Sequence, residues 1–474
     1  MTTRIQSVVC DALDTLFAYT AQQNIGPTRT TRIYYMWFHT LASSYNWIKP
    51  KTVYSTKDNW DWKIHYLVWQ LRDISIWITC TLLEIMPLFV PSYDPKQLLA
   101  SERKYYMWSQ EQQQAAYFRV KNLGRWKQWL AAWTLWFENR QKDGSDTAIK
   151  PPPIQDLPNG PLYLAVNQTI DPSTFPYPDK WTPLQVGAKK QSYLTYNWLD
   201  VKSAALSSSE EEAIFDVAKP YFPNERARKS EIEEIVRSTG SLTDSQKIQA
   251  EFWAGGPYTI SPPGMFLWFW KTYIQMLTTP VDLDTFFFSG LDLALHLFET
   301  GRIIWGLKKF YMQARPIQEI WRFYRGTKLI GYDGNPLKGE SWIPYQEANF
   351  VTPPFADFPS GHSGFSQVFA LVMIRWFGIN IKETQEKDLG NVKLICPMLE
   401  TQIEPFGNFI IKAKSSDIQT GIVPSQDTRI SWSTWQDMAD SAGLSRKYGG
   451  IHCISAHTSS QALAKEIHMK ITDI

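Results

Sequence analysis

The segment Ser360-Gly361-His362 combines a hydroxyl, a glycine and an imidazole just before a long apolar run. This run, residues 364–377, is predicted to be a buried helix, and three prolines within residues 353–359 keep the approach to it extended. A helix N-terminus offers unpaired N–H groups and the positive end of the helix dipole. The segment is therefore a candidate site for a tetrahedral oxyanion, although by itself it would be better interpreted as a simple helix cap.

A pair of cations precedes this segment in the chain. Lys308 and Arg315 are seven residues apart, which is two turns of a helix, so we predict that both project from one face of a helix over residues 283–313. Pro316 is expected to end or kink that helix. In isolation, such a pair more commonly forms a solvated basic face.

A third cluster follows the apolar run. Arg446 and His452 are six residues apart, with Gly449 and Gly450 between them, and a glycine turn can bring both side chains to one point. Taken together, the three clusters supply a lysine, two arginines, a hydroxyl and two histidines, a set suited to neutralising and protonating an oxyanion.

The elements that must position these residues are predicted to be helices. Apolar residues recur at three- and four-residue spacing in residues 31–48, 60–86 and 115–137. The run of three serines and three glutamates from Ser207 to Glu212 is typical of a helix start, and Thr243 or Asp244 is the expected cap of a later helix. Because there is no internal repeat and almost no alternating strand pattern, the predicted class is all-α with long irregular loops. We divide the chain into residues 1–200, an aromatic-rich helical region ending in a Pro-rich loop, and residues 201–474, a helical bundle.

Composition limits the function classes. The chain has 474 residues, a net charge of +2 and 22 tryptophans, which fits a large globular protein and gives no reason to expect nucleic acid as a partner. Residues 74–90 are the most membrane-like segment, but Glu84 and Pro87 interrupt them, so no transmembrane helix is expected. The N-terminus lacks the apolar core of a signal peptide, which makes a cytoplasmic location the default expectation. A homo-oligomer is compatible with all of this.

The remaining cysteines and histidines are expected to be structural. Four cysteines lie far apart and are predicted to be buried free thiols (Cys10, Cys80, Cys396 and Cys453). His39 and His65 are predicted to pack inside helices, whereas His457 and His468 are predicted to lie at the surface.

In order and spacing, Lys308-x6-Arg315-Pro316, Pro359-Ser360-Gly361-His362 and Ser445-Arg446-x5-His452 resemble the three signature motifs shared by vanadium-dependent haloperoxidases and type 2 phosphatidic acid phosphatases. The resemblance implies the helix-bundle architecture of that superfamily, with vanadate as the cofactor and phosphate able to occupy the same place. It also implies a role for each residue: Lys308, Arg315 and Arg446 bind equatorial oxygens, Ser360 and the Gly361 amide complete the cradle, His362 moves protons, and His452 ligates vanadium.

Four features favour the haloperoxidase branch. Trp305 and Phe355 match positions that line the halide side in chloroperoxidase-like members. The interval between the second and third motifs is long, as in haloperoxidases. The phosphatases usually carry an aspartate four residues after the third-motif histidine, where this chain has Ala456. The spanning helices of the lipid phosphatases are not expected here.

One departure concerns the last arginine. Gly255-Gly256 stands where some haloperoxidases place an acid thought to brace it, which leaves Asp357 or Glu299 as guesses for the partner of Arg446.

The resemblance implies that the chain oxidises chloride or bromide with hydrogen peroxide to hypohalous acid, with Lys308 polarising the bound peroxide. One alternative is a soluble acid phosphatase with His452 as the nucleophile. The other is a structural or binding protein that retains the fold.

Overall fold

Local capping signals in the sequence set many of the helix boundaries. The computed structural model describes residues 2–49, 60–149, 175, 177–186, 189–385, 394–395 and 399–472. Its α-helices are α1 (Thr2–Gln22), α2 (Pro27–Ile48), α3 (Trp60–Phe89), α4 (Lys96–Tyr106), α5 (Gln110–Asn122), α6 (Gly124–Gln141), α7 (Ser145–Ile149), α8 (Ser208–Ala218), α9 (Glu225–Thr239), α10 (Asp244–Phe252), α11 (Ser261–Met276), α12 (Leu283–Tyr311), α13 (Pro316–Phe323), α14 (Gly361–Phe377), α15 (Trp435–Tyr448) and α16 (Ile454–Thr472).

The strands of the described residues are two to four residues long, and Phe409 and Ile411 of one of them belong to the main apolar core. The strands form two antiparallel hairpins, β1 (Gln185–Val186) with β2 (Lys189–Lys190) and β3 (Lys328–Ile330) with β4 (Pro336–Lys338), and one three-stranded antiparallel sheet of β5 (Thr401–Ile403), β6 (Asn408–Ile411) and β7 (Thr428–Ser431). The all-α class predicted from the sequence is confirmed.

Helix α14 is central to the part of the fold that positions the site. It packs against α11, α12, α15 and α16, and α12 in turn packs against α2. Because α14 is covered on several sides, its residues are apolar nearly all round, and Phe365, Val368, Phe369 and Val372 are fully buried. The N-terminal turn of this helix is the segment that carries Ser360 and His362.

The N-terminal helices build an aromatic layer onto this bundle. Helix α2 packs on α3, α6 and α11, and its rings stack with those of its neighbours: the centroids of Tyr35 and Phe298 are 5.2 Å apart and those of Tyr45 and Phe287 are 4.6 Å apart. One continuous apolar core contains residues from both sides of position 200. The division into 1–200 and 201–474 stays a prediction.

Several predicted boundaries need correction. The helix predicted over residues 115–137 is two helices, α5 and α6, which meet at an extended Leu123. Helix α12 ends at Tyr311, and α13 begins immediately after Arg315. The capping boxes at Ser207 with Glu210 and at Thr243 with Gln246 are present and start α8 and α10. Most of the predicted Pro-rich loop, and Cys396, lie outside the described residues.

Among the described helices, none is long and apolar enough to cross a membrane. Cys80 and Cys453 are buried free thiols, as predicted, and Cys10 is also buried.

Candidate anion-binding site

Lys308 and Arg315 converge, but not as two residues on one helical face. Met312 adopts a left-handed conformation with φ 48° and ends α12, and Pro316 occupies the first turn of α13, where its missing N–H is no loss. The prediction of a shared face is therefore wrong. Lys308 Nζ donates to the carbonyl oxygens of Ala356 (2.8 Å) and Asp357 (2.9 Å), and Arg315 Nε donates to that of Phe355 (2.7 Å).

The start of α14 carries a chain of hydroxyl groups. Ser360 is the N-cap, and the Ser363 hydroxyl donates to the Ser360 hydroxyl over 3.0 Å. His457 Nδ1 lies 2.9 Å from the Ser363 hydroxyl. Because the one hydroxyl proton of Ser363 goes to Ser360, Nδ1 of His457 must be the donor in its own contact. The proton of Ser360 is then left to be donated to a bound anion.

His457 is thus part of the site's support rather than a surface residue, and the prediction for it is wrong. Its ring needs the space beside Gly443, where a Cβ would come within 2.4 Å of His457 Cε1. His468 is also not a simple surface residue, because its Nδ1 lies 3.0 Å from Nε2 of the buried His296. His39 packs as predicted, stacked 3.9 Å from Trp136. The side chain of His65 lies outside the described residues.

Arg446 and His452 are brought together at the end of α15, as the glycine pair predicts. Gly450 has φ 71°, which a side chain would disfavour, and Ile451 N returns to donate to the Arg446 carbonyl over 3.1 Å. The Arg446 guanidinium donates through NH1 to the carbonyl oxygen of Trp253 over 3.2 Å. This carbonyl comes directly after α10, which places a helix C-terminus next to the cation.

Neither guessed partner of Arg446 is correct. Glu299 forms an ion pair with Arg302, with 2.7 Å between Oε2 and NH1. Asp357 lies between Arg228 and His452: its Oδ2 is 2.8 Å from Arg228 NH1, and its Oδ1 makes a short hydrogen bond with His452 Nδ1.

The contacts of His452 fix its tautomer. Burial opposes ionisation of Asp357, but Arg228 and His452 outweigh it and lower the pKa of that carboxyl, so it accepts the proton of His452 Nδ1. Burial and Arg315 lower the pKa of His452 well below its usual value. The imidazole is therefore neutral, and its Nε2 presents a lone pair 3.2 Å from Arg315 NH1.

His362 is the second neutral imidazole of the site. Its Nε2 is 2.8 Å from the Trp253 carbonyl oxygen, so Nε2 carries the proton. Burial, Arg446 and His452 hold the pKa of His362 well below its ordinary value. Nδ1 is consequently free of a proton in the neutral ring and is able to accept one.

A cavity of about 210 Å³ opens beside these groups. Gly361, His362, Arg446 and His452 contribute to one side of it, and its other walls are mainly apolar. Trp305 and Phe355 line it as an aromatic pair with centroids 4.9 Å apart, and the Lys308 ammonium lies 5.2 Å from the centroid of the Phe355 ring.

Positive charge dominates the site. Lys308, Arg315 and Arg446 are each exposed by no more than 1%. Burial lowers the pKa of Lys308 well below its usual value, that of Arg315 to about 10 and that of Arg446 to about 9. The pKa of a buried cation falls in this way when the negative charge around it is too small to offset the cost of burial.

The unused donors indicate what kind of ligand would compensate this charge. Within the described residues, Arg315 NH2 and Arg446 Nε are buried and have no hydrogen-bond partner. The same part of the chain contains no group of three or more His, Cys, Asp or Glu side chains that could hold a metal ion. The donor set therefore fits a compact oxyanion, vanadate included, better than a bare cation.

Comparisons with known proteins concern the sequence of the C-terminal part and the fold of the chain. Residues 287–473 match the family model for the VCPO second helical-bundle domain. The chain resembles the crystal structure of a holo-type bacterial vanadium-dependent chloroperoxidase, with a TM-score of 0.64 and 16% sequence identity over 95% of this chain and 93% of that one. The apo-type structure gives a TM-score of 0.62 at 16% identity, covering 95% of each chain. The first bacterial vanadium-dependent iodoperoxidase gives 0.59 at 15% identity, over 98% of this chain and 95% of that one. No curated protein matches the sequence significantly.

The fold is thus the helical fold of these peroxidases over nearly the whole chain. The family-model match over residues 287–473 spans all three motifs and agrees with the resemblance that they carry.

Proposed function

We propose that the protein binds vanadate and uses it to oxidise chloride or bromide with hydrogen peroxide. One observation carries the proposal: His452 is neutral and presents the Nε2 lone pair beside Arg315, whose NH2 group has no hydrogen-bond partner among the described residues. That lone pair suits a bond to vanadium, and the unused donor suits an oxygen of the same ion.

The other cations complete the proposed binding of the anion. Arg446 has an unused Nε–H in the described structure, and Lys308 keeps one ammonium proton beyond its two carbonyl contacts. Ser360 supplies its hydroxyl proton, and Gly361 supplies a backbone N–H at the start of α14. When bound, vanadate supplies a Lewis-acid centre that activates peroxide without changing its own oxidation state.

His362 and the aromatic pair account for the remaining steps. Nδ1 of His362 accepts the proton that hydrogen peroxide loses on binding and returns it to the product oxygen. Trp305 and Phe355 exclude water on one side of the cavity, and halide approaches along this wall. The structural similarity to vanadium-dependent chloroperoxidase and iodoperoxidase supports this use of the site.

The direct test combines two assays. Purified protein is incubated with orthovanadate, hydrogen peroxide, bromide or chloride and a halogenatable dye, and in parallel with a chromogenic phosphate ester. We expect vanadate-dependent halogenation in the wild type and none in His452→Ala, because that variant lacks the only nitrogen proposed to bind vanadium. His468→Ala is the control, since His468 pairs with His296 outside the site.

A second function has its own supporting observation. The Asp357–His452 pair supplies the orienting carboxylate that is missing at Ala456, and an imidazole oriented in this way is also suited to attack a phosphoryl group. Ester hydrolysis without halogenation would refute the haloperoxidase proposal and favour an acid phosphatase with His452 as nucleophile. If neither reaction occurs and no vanadate binds, the alternative of a structural or binding protein is favoured.

A further inference from the structure

Arg228 lies outside all three motifs and ahead of residues 287–473, yet its guanidinium reaches the groups that support the site. It belongs to the first turns of α9, a helix started by the Asn224 cap, and is 5% exposed. We infer that Arg228 is a positioning residue that fixes Asp357 and the start of α13 together, and thereby sets the relative placement of His452 and Arg315.

Its first contact acts on His452. Arg228 NH1 lies 2.8 Å from Asp357 Oδ2, while Oδ1 of the same carboxylate bonds to His452 Nδ1. The contact at Oδ2 is an ion pair without hydrogen-bond geometry. Together with the hydrogen bond at Oδ1, it favours the carboxylate orientation that faces the imidazole. The arginine therefore fixes the ring orientation and the tautomer that leaves Nε2 with its lone pair.

Its other contacts act on Arg315. Arg228 NH2 donates to the Ala314 carbonyl over 2.8 Å, and Nε donates to Glu319 Oε2 over 2.7 Å. Ala314 directly precedes Arg315, and Glu319 lies in the first turn of α13, for which Arg315 is the N-cap. One guanidinium thus contacts two separate segments. The segment with Asp357 orients the His452 ring, and the start of α13 carries Arg315, whose NH1 lies 3.2 Å from His452 Nε2.

The planar fork of arginine is required for this task. Its Nε and NH2 donate to Glu319 and to the Ala314 carbonyl while NH1 forms ion pairs with Asp357 and Glu231, whereas a lysine ammonium at the end of a flexible chain acts as a point charge. We expect Arg228→Lys to retain only part of the effect and Arg228→Met to lose it.

The test measures binding of orthophosphate and orthovanadate by calorimetry and the His452 tautomer by ¹⁵N NMR of the ligand-free protein, with His452→Gln used to assign the signals. We expect Arg228→Met to weaken binding of both anions about 10- to 100-fold, the range found when groups supporting a ligand are removed. We also expect the His452 signals to change from the Nδ1–H tautomer to a mixture. Arg228→Lys should fall between this variant and the wild type.

The matched control is Arg302→Met. Arg302 is equally buried and also pairs with two carboxylates, Glu299 and Glu211, but it does so away from the cavity. It should lower the stability of the fold while leaving anion affinity and the His452 tautomer as in the wild type.

Wild-type affinity and tautomer in Arg228→Met would overturn the inference, and so would equal losses in Arg302→Met. If Arg228→Met does not fold, Arg228→Lys decides the matter, since wild-type values in that variant would also contradict the inference. The inference rests on the proposed anion site, but its readouts need no halide oxidation. A changed tautomer in a protein that fails to oxidise halide would uphold the inference and refute the proposed function.

Discussion

Two buried carboxylic acids have different surroundings. Asp357 lies beside the candidate anion site and Glu102 lies in the N-terminal helices, and neither is more than 1% exposed. Arg228 and His452 contact Asp357, and the pKa of its carboxyl is lowered although burial opposes this. Glu102 is contacted by neutral groups of Thr79, Gln113 and Tyr117, and burial raises its pKa to about 7.

The contrast separates two uses of a buried acid. In the N-terminal helices, hydroxyl and amide donors satisfy the oxygens of Glu102 without adding charge, which is sufficient for packing. At the anion site, neighbouring cations keep Asp357 ionised, so its carboxylate can accept a hydrogen bond from Nδ1–H of His452. The carboxyl beside the candidate site thus has cations for neighbours, whereas Glu102 has neutral hydrogen-bond donors.

The largest effect expected from breaking this contrast is that of Asp357→Asn. The amide can donate where the carboxylate only accepts, so His452 should adopt the tautomer with a proton on Nε2, where its lone pair is needed. We expect the vanadate-dependent rate to fall on the order of 10²- to 10⁴-fold. The lower figure is typical of removing a group that supports a metal ligand, and the higher one of replacing an aspartate that orients a catalytic histidine. Steady-state kinetics measure this, and an unchanged rate would show that Asp357 does not set the tautomer.

A second prediction concerns Glu102 and pH. Because its folded pKa of about 7 lies above the usual value of 4.5, the carboxyl's contribution to stability is fully present below pH 4.5 and is lost as the pH rises through 7. Relative to Glu102→Gln, the wild type should lose about 3 kcal/mol of unfolding free energy between pH 4.5 and pH 8. Denaturant unfolding of both proteins across this range measures the difference. Parallel pH profiles would mean that Glu102 is not desolvated as described.

The smallest effect is expected at the hydroxyl chain. Ser363→Ala removes the donor to Ser360 and the acceptor of His457, so the Ser360 hydroxyl is no longer directed by its neighbours. Loss of one such hydrogen bond costs about 1 kcal/mol, or roughly fivefold in vanadate affinity. Calorimetric titration measures this, with Ser366→Ala as the control one turn further along α14, where the hydroxyl contacts only backbone carbonyls. Equal vanadate affinities in the two variants would show that the hydroxyl chain does not contribute to anion binding.

The sequence predicted the residues of the site better than their supports. Lys308, Arg315, Ser360, His362, Arg446 and His452 were identified from spacing and from a resemblance, and the structure brings them to one place. Their supports were missed because each depends on a contact between distant segments. Arg228 on α9 meets Asp357, and the Trp253 carbonyl meets both His362 and Arg446. A backbone carbonyl leaves no residue-type signal, and no spacing rule pairs α9 with the segment before α14.

Helix boundaries show a similar division. The helix start in the run from Ser207 to Glu212 is confirmed, because its capping box joins residues only three positions apart. The end of α12 was not, since Met312 is a non-glycine residue in the left-handed region. That conformation is held by the surrounding structure and is not encoded by residue type.

The Trp253 carbonyl has a thermodynamic consequence. It accepts from His362 Nε2 and from Arg446 NH1, and the next residues, Ala254 to Pro257, form part of the cavity wall. Any molecule that shifts this peptide on binding to the wall alters both hydrogen bonds together. Binding at the wall and binding of the anion are then linked equilibria, and by reciprocity each changes the affinity for the other by the same factor.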